Sequence, residues 1–299
     1  MAASPTMPRP DKSTTGRTKK SPPFALRAVR GGMGVLSRVA PAGAAVIAER
    51  MFLTPQRRER PAAEVEALRT ARRVPLPTPH GPLAAWEWGT EGPRVLLVHG
   101  WEGRGAQLAT VASRLTMMGF RVVTFDAPGH GDSPGKSSSL FHFADSIEAA
   151  VDVLGPFHAI VSHSMGGASM LWANRGRPLA TRFVMIAPPV DLRDFTRTLS
   201  RILGLPEAVR GRVHERISAR FGVSIEEVRA ERLAATMHGP LLVVHDEDDH
   251  EVPIACGEAI ANAWPGAELV RTHGLGHQRI LRDAATLDVI VRFVAQGRS

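Results

Sequence analysis

Short, unbroken apolar runs alternate with longer amphipathic stretches from about residue 83 to the end of the chain. Val95–Val98 has no polar alternation, the pattern of a strand covered on both faces. Similar runs are Arg121–Phe125, Ala159–Val161, Phe183–Ile186, Leu241–Val244 and Glu268–Arg271, and Leu83–Trp88 reads as an earlier strand. Helical stretches separate most of them, including Gln107–Met118, Phe143–Leu154 and Met165–Asn174. This alternation predicts an α/β fold, a mostly parallel sheet with helices on both faces.

Two segments break the rhythm. About fifty residues between Ala187 and Leu241 carry no strand pattern and read as several helices, with Pro206 at a helix start. Ser224 and Glu227 form a capping-box pattern there, ahead of an amphipathic run. An insertion at this point would make a small helical lid, about residues 190–239, over the carboxyl edge of the sheet. At the other end, residues 24–73 read as a helical extension broken by Gly31-Gly32, Pro41 and Pro55, and residues 74–299 as the main domain. Residues 1–23, rich in Pro, Ser, Thr and Lys, hold too little apolar content to bury and are expected to be disordered.

The formal charge of +8 would suggest a polyanionic partner if it were spread over the body. It is not: residues 1–73 hold 15 Lys and Arg against 5 Asp and Glu, leaving 22 against 24 for the remainder. That distribution argues against nucleic acid as the partner of the main domain and leaves weak peripheral membrane contact through the basic segment open. No apolar run approaches the roughly 18 residues of a spanning helix, and the start of the chain lacks a secretory pattern, so a cytoplasmic address is expected. The single cysteine, Cys256, rules out an intramolecular disulfide and fits a reducing compartment. Oligomeric state is not legible.

Candidate chemistry gathers after the predicted strands. Ser164, in Ser162-His163-Ser164-Met165-Gly166-Gly167, follows one strand and opens a helix, so a tight turn would hold its hydroxyl above the sheet. The helix N-terminus and the Met165 N–H would face negative charge forming there. The first position of the usual G-x-S-x-G pattern is Ser162, a departure that weakens the motif taken alone. His99-Gly100-Trp101 follows another strand, where a turn at Gly100 could present the Trp101 N–H as a second oxyanion donor, with His99 structural. Asp126 to Ser133 makes a Pro- and Gly-rich turn that shapes a pocket wall. Later come the acid-rich loop His245–Pro253 and Gly274-Leu275-Gly276-His277, whose glycines permit a turn aiming the imidazole back over the sheet. Each element alone has a bland reading: a Ser-rich turn, a solvated acidic loop, a surface histidine. Together they run Ser, Asp, His, each at the carboxyl end of a strand.

Over roughly residues 83–295 the chain therefore resembles the α/β-hydrolase superfamily. His99-Gly100, Asp126-x-Pro-Gly-His-Gly-x-Ser133, Ser164 in the elbow and Gly276-His277 carry the resemblance, and Asp249-His250-Glu251-Val252-Pro253 matches the family's D-x-x-V-P. That match favours Asp249 over Asp248 and Asp246 as the triad acid. The resemblance implies a serine hydrolase: nucleophile Ser164, base His277, acid Asp249, with the Trp101 and Met165 N–H groups as the oxyanion hole. It further implies a carboxylic ester or thioester as substrate and no metal or organic cofactor. An acyltransferase or perhydrolase would use the same triad, and a non-catalytic binding protein could keep the same fold. The lid residues Leu192, Phe195, Leu199 and Leu203 either line an apolar pocket or pack the lid onto the sheet.

Overall fold

A computed structural model describes residues 24–297 of the chain. The expectation of disorder for residues 1–23 lies outside the described residues.

Eight strands make one sheet: β1 (Arg72–Val74), β2 (Ala85–Trp88), β3 (Arg94–Val98), β4 (Arg121–Phe125), β5 (Phe157–His163), β6 (Ala180–Ile186), β7 (Leu241–Asp246) and β8 (Glu268–Thr272). Their spatial order is β1-β2-β4-β3-β5-β6-β7-β8; β1 pairs antiparallel with β2 and β2 antiparallel with β4, and all remaining pairs are parallel. The predicted run Arg121–Phe125 is β4 to the residue, whereas β5 reaches four residues beyond Ala159–Val161, taking in the polar His158, Ser162 and His163. Strand β1, too short and too basic to stand out, was not expected, and it straddles the 73/74 boundary between extension and main domain.

Alternation along the strands splits the core between two faces. Leu96, Val98, Ile160 and Met185 point to one face, where α5 (Leu140–Leu154), α6 (Met165–Asn174), α9 (Ala230–Ala234) and α10 (Ile254–Ala263) pack. Val95, Leu97, Val161 and Ile186 point to the other, beneath α4 (Ala109–Met117) and α12 (Ala284–Ala295). The stretch expected to be one helix over Gln107–Met118 is a 3₁₀ turn, Gly105–Leu108, followed by α4.

Between β6 and β7 lie α7 (Leu192–Leu203), α8 (Glu207–Phe221) and the short α9. Pro206 is the cap before α8, not its first residue. The Ser224 N–H donates to Glu227 Oε1 (2.9 Å) and the Glu226 N–H to Ser224 Oγ (3.2 Å), yet only a turn follows, not the amphipathic helix that the pattern suggested. At the N-terminal end, α1 (Phe24–Val39), α2 (Pro41–Phe52) and α3 (Ala62–Arg69) precede the sheet, and the four-residue α11 (Gly276–Arg279) follows β8. Among the described residues no helix is long and apolar enough to cross a membrane.

Candidate active site

Ser164 is the single residue between β5 and α6, with φ +51° and ψ −124°. A non-glycine residue at positive φ is strained, and this one is over-determined by its surroundings. Its N–H donates to the Ile186 carbonyl (2.9 Å) and its carbonyl accepts from the Gly167 N–H (2.8 Å). Small neighbours make the turn possible. A Cβ on Gly166 would lie 2.6 Å from the His99 carbonyl oxygen, and one on Gly100 would lie 2.9 Å from Ser164 Cβ. Ser162 replaces the usual first glycine because its hydroxyl has a partner, donating to the Val184 carbonyl at 3.1 Å, and because Gly167 leaves it room.

His277 lies in α11, just after β8, and its Nδ1 stands 2.6 Å from Asp249 Oδ2, with both side chains buried. A carboxylate accepts here, so Nδ1 carries the proton and Nε2 is left with its lone pair. The other Asp249 oxygen accepts from the Glu251 (2.8 Å) and Val252 (2.9 Å) N–H groups. Burial alone would raise the Asp249 pKa, but the His245 ring beside it and the hydrogen bonds from His277 and Val252 outweigh it and hold the carboxyl well below its usual range. The neighbouring acids are engaged elsewhere. Asp246 accepts from Thr272 Oγ1 (2.7 Å) and from the Leu275 and Gly276 N–H groups (3.1 and 2.9 Å), and Asp248 accepts from the Gly274 N–H (2.9 Å). These two fasten the loop that presents His277, and only Asp249 touches its ring.

Three more histidines surround the site. His99 Nδ1–H donates to the Gly100 carbonyl (2.7 Å) and Nε2 accepts from the Ala127 N–H (3.0 Å), so both nitrogens brace backbone. His130 does likewise between the Pro128 carbonyl (3.0 Å) and the Glu102 N–H (3.1 Å). His163 Nε2–H donates to the His277 carbonyl (3.0 Å). Burial pushes their pKa values down to about 4, about 3 and about 3 respectively, so all three are neutral at pH 7. The turn after β4 is equally closed. Asp126 accepts from the Gly105 (2.7 Å) and Asp132 (2.8 Å) N–H groups, and burial raises its pKa. Gly131 sits at φ +43°, where a Cβ would fall 1.9 Å from Asp126 Oδ2.

Ser164, Met165, Trp101 and His277 all line one cavity of about 1060 Å³, and Asp249 stands behind His277. Met165 is buried at the first position of α6 and Trp101 is half-buried. The lid-region residues Leu192, Phe195, Leu199 and Leu203 line the same cavity, and Leu192 is buried with Leu140, Phe141 and Ala168 of α5 and α6. Sequence reasoning missed the contribution of the N-terminal extension. Leu26, Val29, Met51 and Phe52 line the cavity, Arg58 stands at its wall, and Arg57 donates to the carbonyls of Gly129, Gly131, Ser133 and Gly135. Among the described residues no group of three or more His, Cys, Asp and Glu is arranged to hold a metal ion, and Cys256 is a half-buried thiol whose pKa burial raises.

Comparison with known proteins agrees with this architecture. Residues 91–220 match the family model described as serine aminopeptidase, S33, and residues 222–299 the one described as TAP-like protein. The pimeloyl-[acyl-carrier protein] methyl ester esterase of Xanthomonas campestris pv. campestris is 27% identical over 247 residues, covering 68% of this chain and 96% of that protein. Among solved structures, Est1E of Butyrivibrio proteoclasticus with ferulic acid bound has a TM-score of 0.59 at 22% identity, over 75% of this chain and 100% of its own. A Pyrococcus furiosus esterase has a TM-score of 0.60 at 17% identity, over 80% of this chain and 98% of its own. The chain belongs to the α/β-hydrolase superfamily. Within that class it is an esterase-like hydrolase.

Proposed function

We propose that this protein hydrolyses a carboxylic ester or thioester through an acyl-enzyme on Ser164. The observation that carries the reading is the strained Ser164 turn opening into the same cavity as a histidine whose Nδ1 is held by a buried carboxylate. His277 Nε2 takes the hydroxyl proton as Ser164 Oγ bonds to the substrate carbonyl carbon, and Asp249 stabilises the imidazolium that forms. The Trp101 and Met165 N–H groups receive the oxyanion, each donor worth about 3 kcal/mol. The intermediate collapses by breaking the bond to the alcohol or thiol, which leaves with the proton from His277. Water, deprotonated by the same nitrogen, then attacks the acyl carbon and releases the acid and Ser164. The α7–α9 insertion acts as a lid, and its apolar residues shield the acyl-enzyme from bulk solvent.

The relatives support the ester as substrate class, since one acts on the methyl ester of an acyl-carrier-protein-bound acyl group and another binds an aromatic acid. Labelling with a fluorophosphonate, together with p-nitrophenyl ester turnover, tests the reading. Both are expected in wild type and absent from Ser164→Ala; folded wild type that neither labels nor turns over would leave a binding protein that keeps the fold. Acyl transfer in place of hydrolysis would appear as ester product when an alcohol is added to the assay.

A further inference from the structure

The helices α1 and α2 lie outside both regions matched by family models, which begin at residue 91, yet they are built firmly onto the molecule. Met33, Ala44, Ala45 and Ala48 share a small core with Val209, Val213 and Ile217 of α8. Glu49, buried between them, accepts from Arg216 Nε (2.5 Å) and Arg220 Nε (2.6 Å). After α2, the Leu53 carbonyl accepts from the Ser138 N–H at 2.7 Å, and Arg57 clamps the turn after β4. The extension is thus fixed to α8 on one side and to the pocket wall on the other.

That anchoring carries a row of apolar side chains into the cavity holding Ser164. Leu26 and Val29 of α1 and Met51 and Phe52 of α2 line it together with Phe195 and Ile202 of α7. Structural bracing of α8 needs only the buried side of these helices. It does not require Val29 and Met51, which are 44% and 41% exposed, to border the cavity. The volume of about 1060 Å³ lies at the upper end of small-ligand pockets, and an acetyl group would leave most of it empty. An apolar wall rewards chain length, because each methylene it covers is worth about a fourfold gain in affinity.

We propose that α1 and α2 form the acyl-chain subsite of this enzyme and set its preference for medium-to-long apolar acyl groups, an inference that rests on Ser164 being the nucleophile. The acyl chain runs from Ser164 between α7 and the extension, and the side chains at positions 29 and 51 mark the part of the wall that only longer chains reach.

The test uses the full chain and p-nitrophenyl esters from acetate to palmitate, each below its micelle concentration. Val29→Trp and Met51→Trp place bulk in the subsite at half-exposed positions, where a large side chain does not disturb a core. Val35→Trp is the control, since Val35 is on α1, 61% exposed, and does not line the cavity. Wild type is expected to gain kcat/KM from acetate up to octanoate or dodecanoate. Each subsite variant is expected to lower the dodecanoate-to-butyrate ratio by about tenfold or more, the effect of about two lost methylenes. Val35→Trp should keep the wild-type profile. A wild type that prefers acetate, or subsite variants whose profiles match the control, would overturn the proposal. Fluorophosphonate labelling separates the two failures: absent labelling removes the Ser164 reading, whereas intact labelling with an unmoved profile removes only the subsite.

Discussion

Acidification from pH 7 to pH 5 should cost this protein several kcal/mol of stability, because of the neutral histidines packed around the site. His99 and His130 each use one nitrogen to donate to a carbonyl and the other to accept from a backbone N–H. A second proton would set N–H against N–H in a buried space. Their folded pKa values, about 4 and about 3, and that of His163, about 3, lie below the 6.5 of an unfolded histidine. Such a group contributes stability that is fully present above pH 6.5 and is lost as pH falls, until its folded pKa is reached. At pH 5 the unfolded chain has gained the proton and the folded chain has not, which at 1.36 kcal/mol per unit costs about 2 kcal/mol per histidine. The three rings act on one another, and together they lose several kcal/mol, against a total of about 5–15 kcal/mol for an ordinary protein. Asp126 acts in the opposite direction, since its raised pKa lets the folded state take up a proton more readily, and it offsets part of the loss. Asp249, with its depressed pKa, adds to the loss only below the unfolded carboxylate range, near pH 4 and lower.

Urea unfolding at pH 7, 6 and 5, followed by fluorescence and far-ultraviolet dichroism, measures this directly. The midpoint should fall steadily across the series while the slope m stays constant. A His130→Gln variant should be less stable at pH 7 yet lose about one third less on acidification, because one of the titrating groups is gone. A wild-type midpoint equal at pH 7 and pH 5 would refute the reasoning, and so would a variant whose pH dependence is unchanged.

Other perturbations follow from single contacts. Asp249→Asn should lower kcat by about ten-thousand-fold with folding retained, whereas Asp248→Asn, which loosens only the Gly274 end of the loop, should cost far less; equal losses in steady-state assays would undo the choice of acid. Gly166→Ala, whose Cβ would press on the His99 carbonyl oxygen at 2.6 Å, should abolish fluorophosphonate labelling of Ser164, and a labelled, active variant would show that the turn is not tightly packed. Arg57→Ala removes donors from four carbonyls of the turn after β4 and should lower Tm by about 5 °C in a thermal melt, while an unchanged Tm would make the clamp ornamental.

The central strands and the Ser164 turn were legible in the sequence because they are governed by local rules. Val95–Val98 reads as a strand because a doubly covered strand has no polar face, and Ser164 between a strand and Met165–Asn174 reads as an elbow because small residues flank it. Residues whose role depends on distant partners were not legible. Arg72–Val74 looks like a charged linker and becomes a strand only because Glu87 of β2 accepts from Arg72 and the edge has an open ladder. Glu227 does accept from the Ser224 N–H, while Ser224 Oγ accepts from the Glu226 N–H and not from that of Glu227, and such a cap cannot propagate a helix when the chain must turn back to start α9 at Ala230.

The extension is the sharper case. The Ala, Val, Leu and Met content of residues 24–60 suggests helices lying against the main body, but not where, because the features that fix them are supplied by other segments: Arg216 and Arg220 for Glu49, the carbonyls of residues 129–135 for Arg57, and Glu102 for the Gln56 N–H. The basic excess that marked this segment in the sequence is partly consumed by those contacts. Arg57 caps carbonyls, Arg60 pairs with Asp126 and Asp132, and Arg58 faces Glu102 at 3.6 Å. A charge count taken along the chain leaves peripheral membrane contact open for this segment, but for these arginines the charge is structural, and it ties the extension to the loops that shape the pocket. The same pairing fastens the extension at the rim, through Glu102 and the turn after β4, so that Leu26, Val29, Met51 and Phe52 wall the cavity that Ser164 also lines.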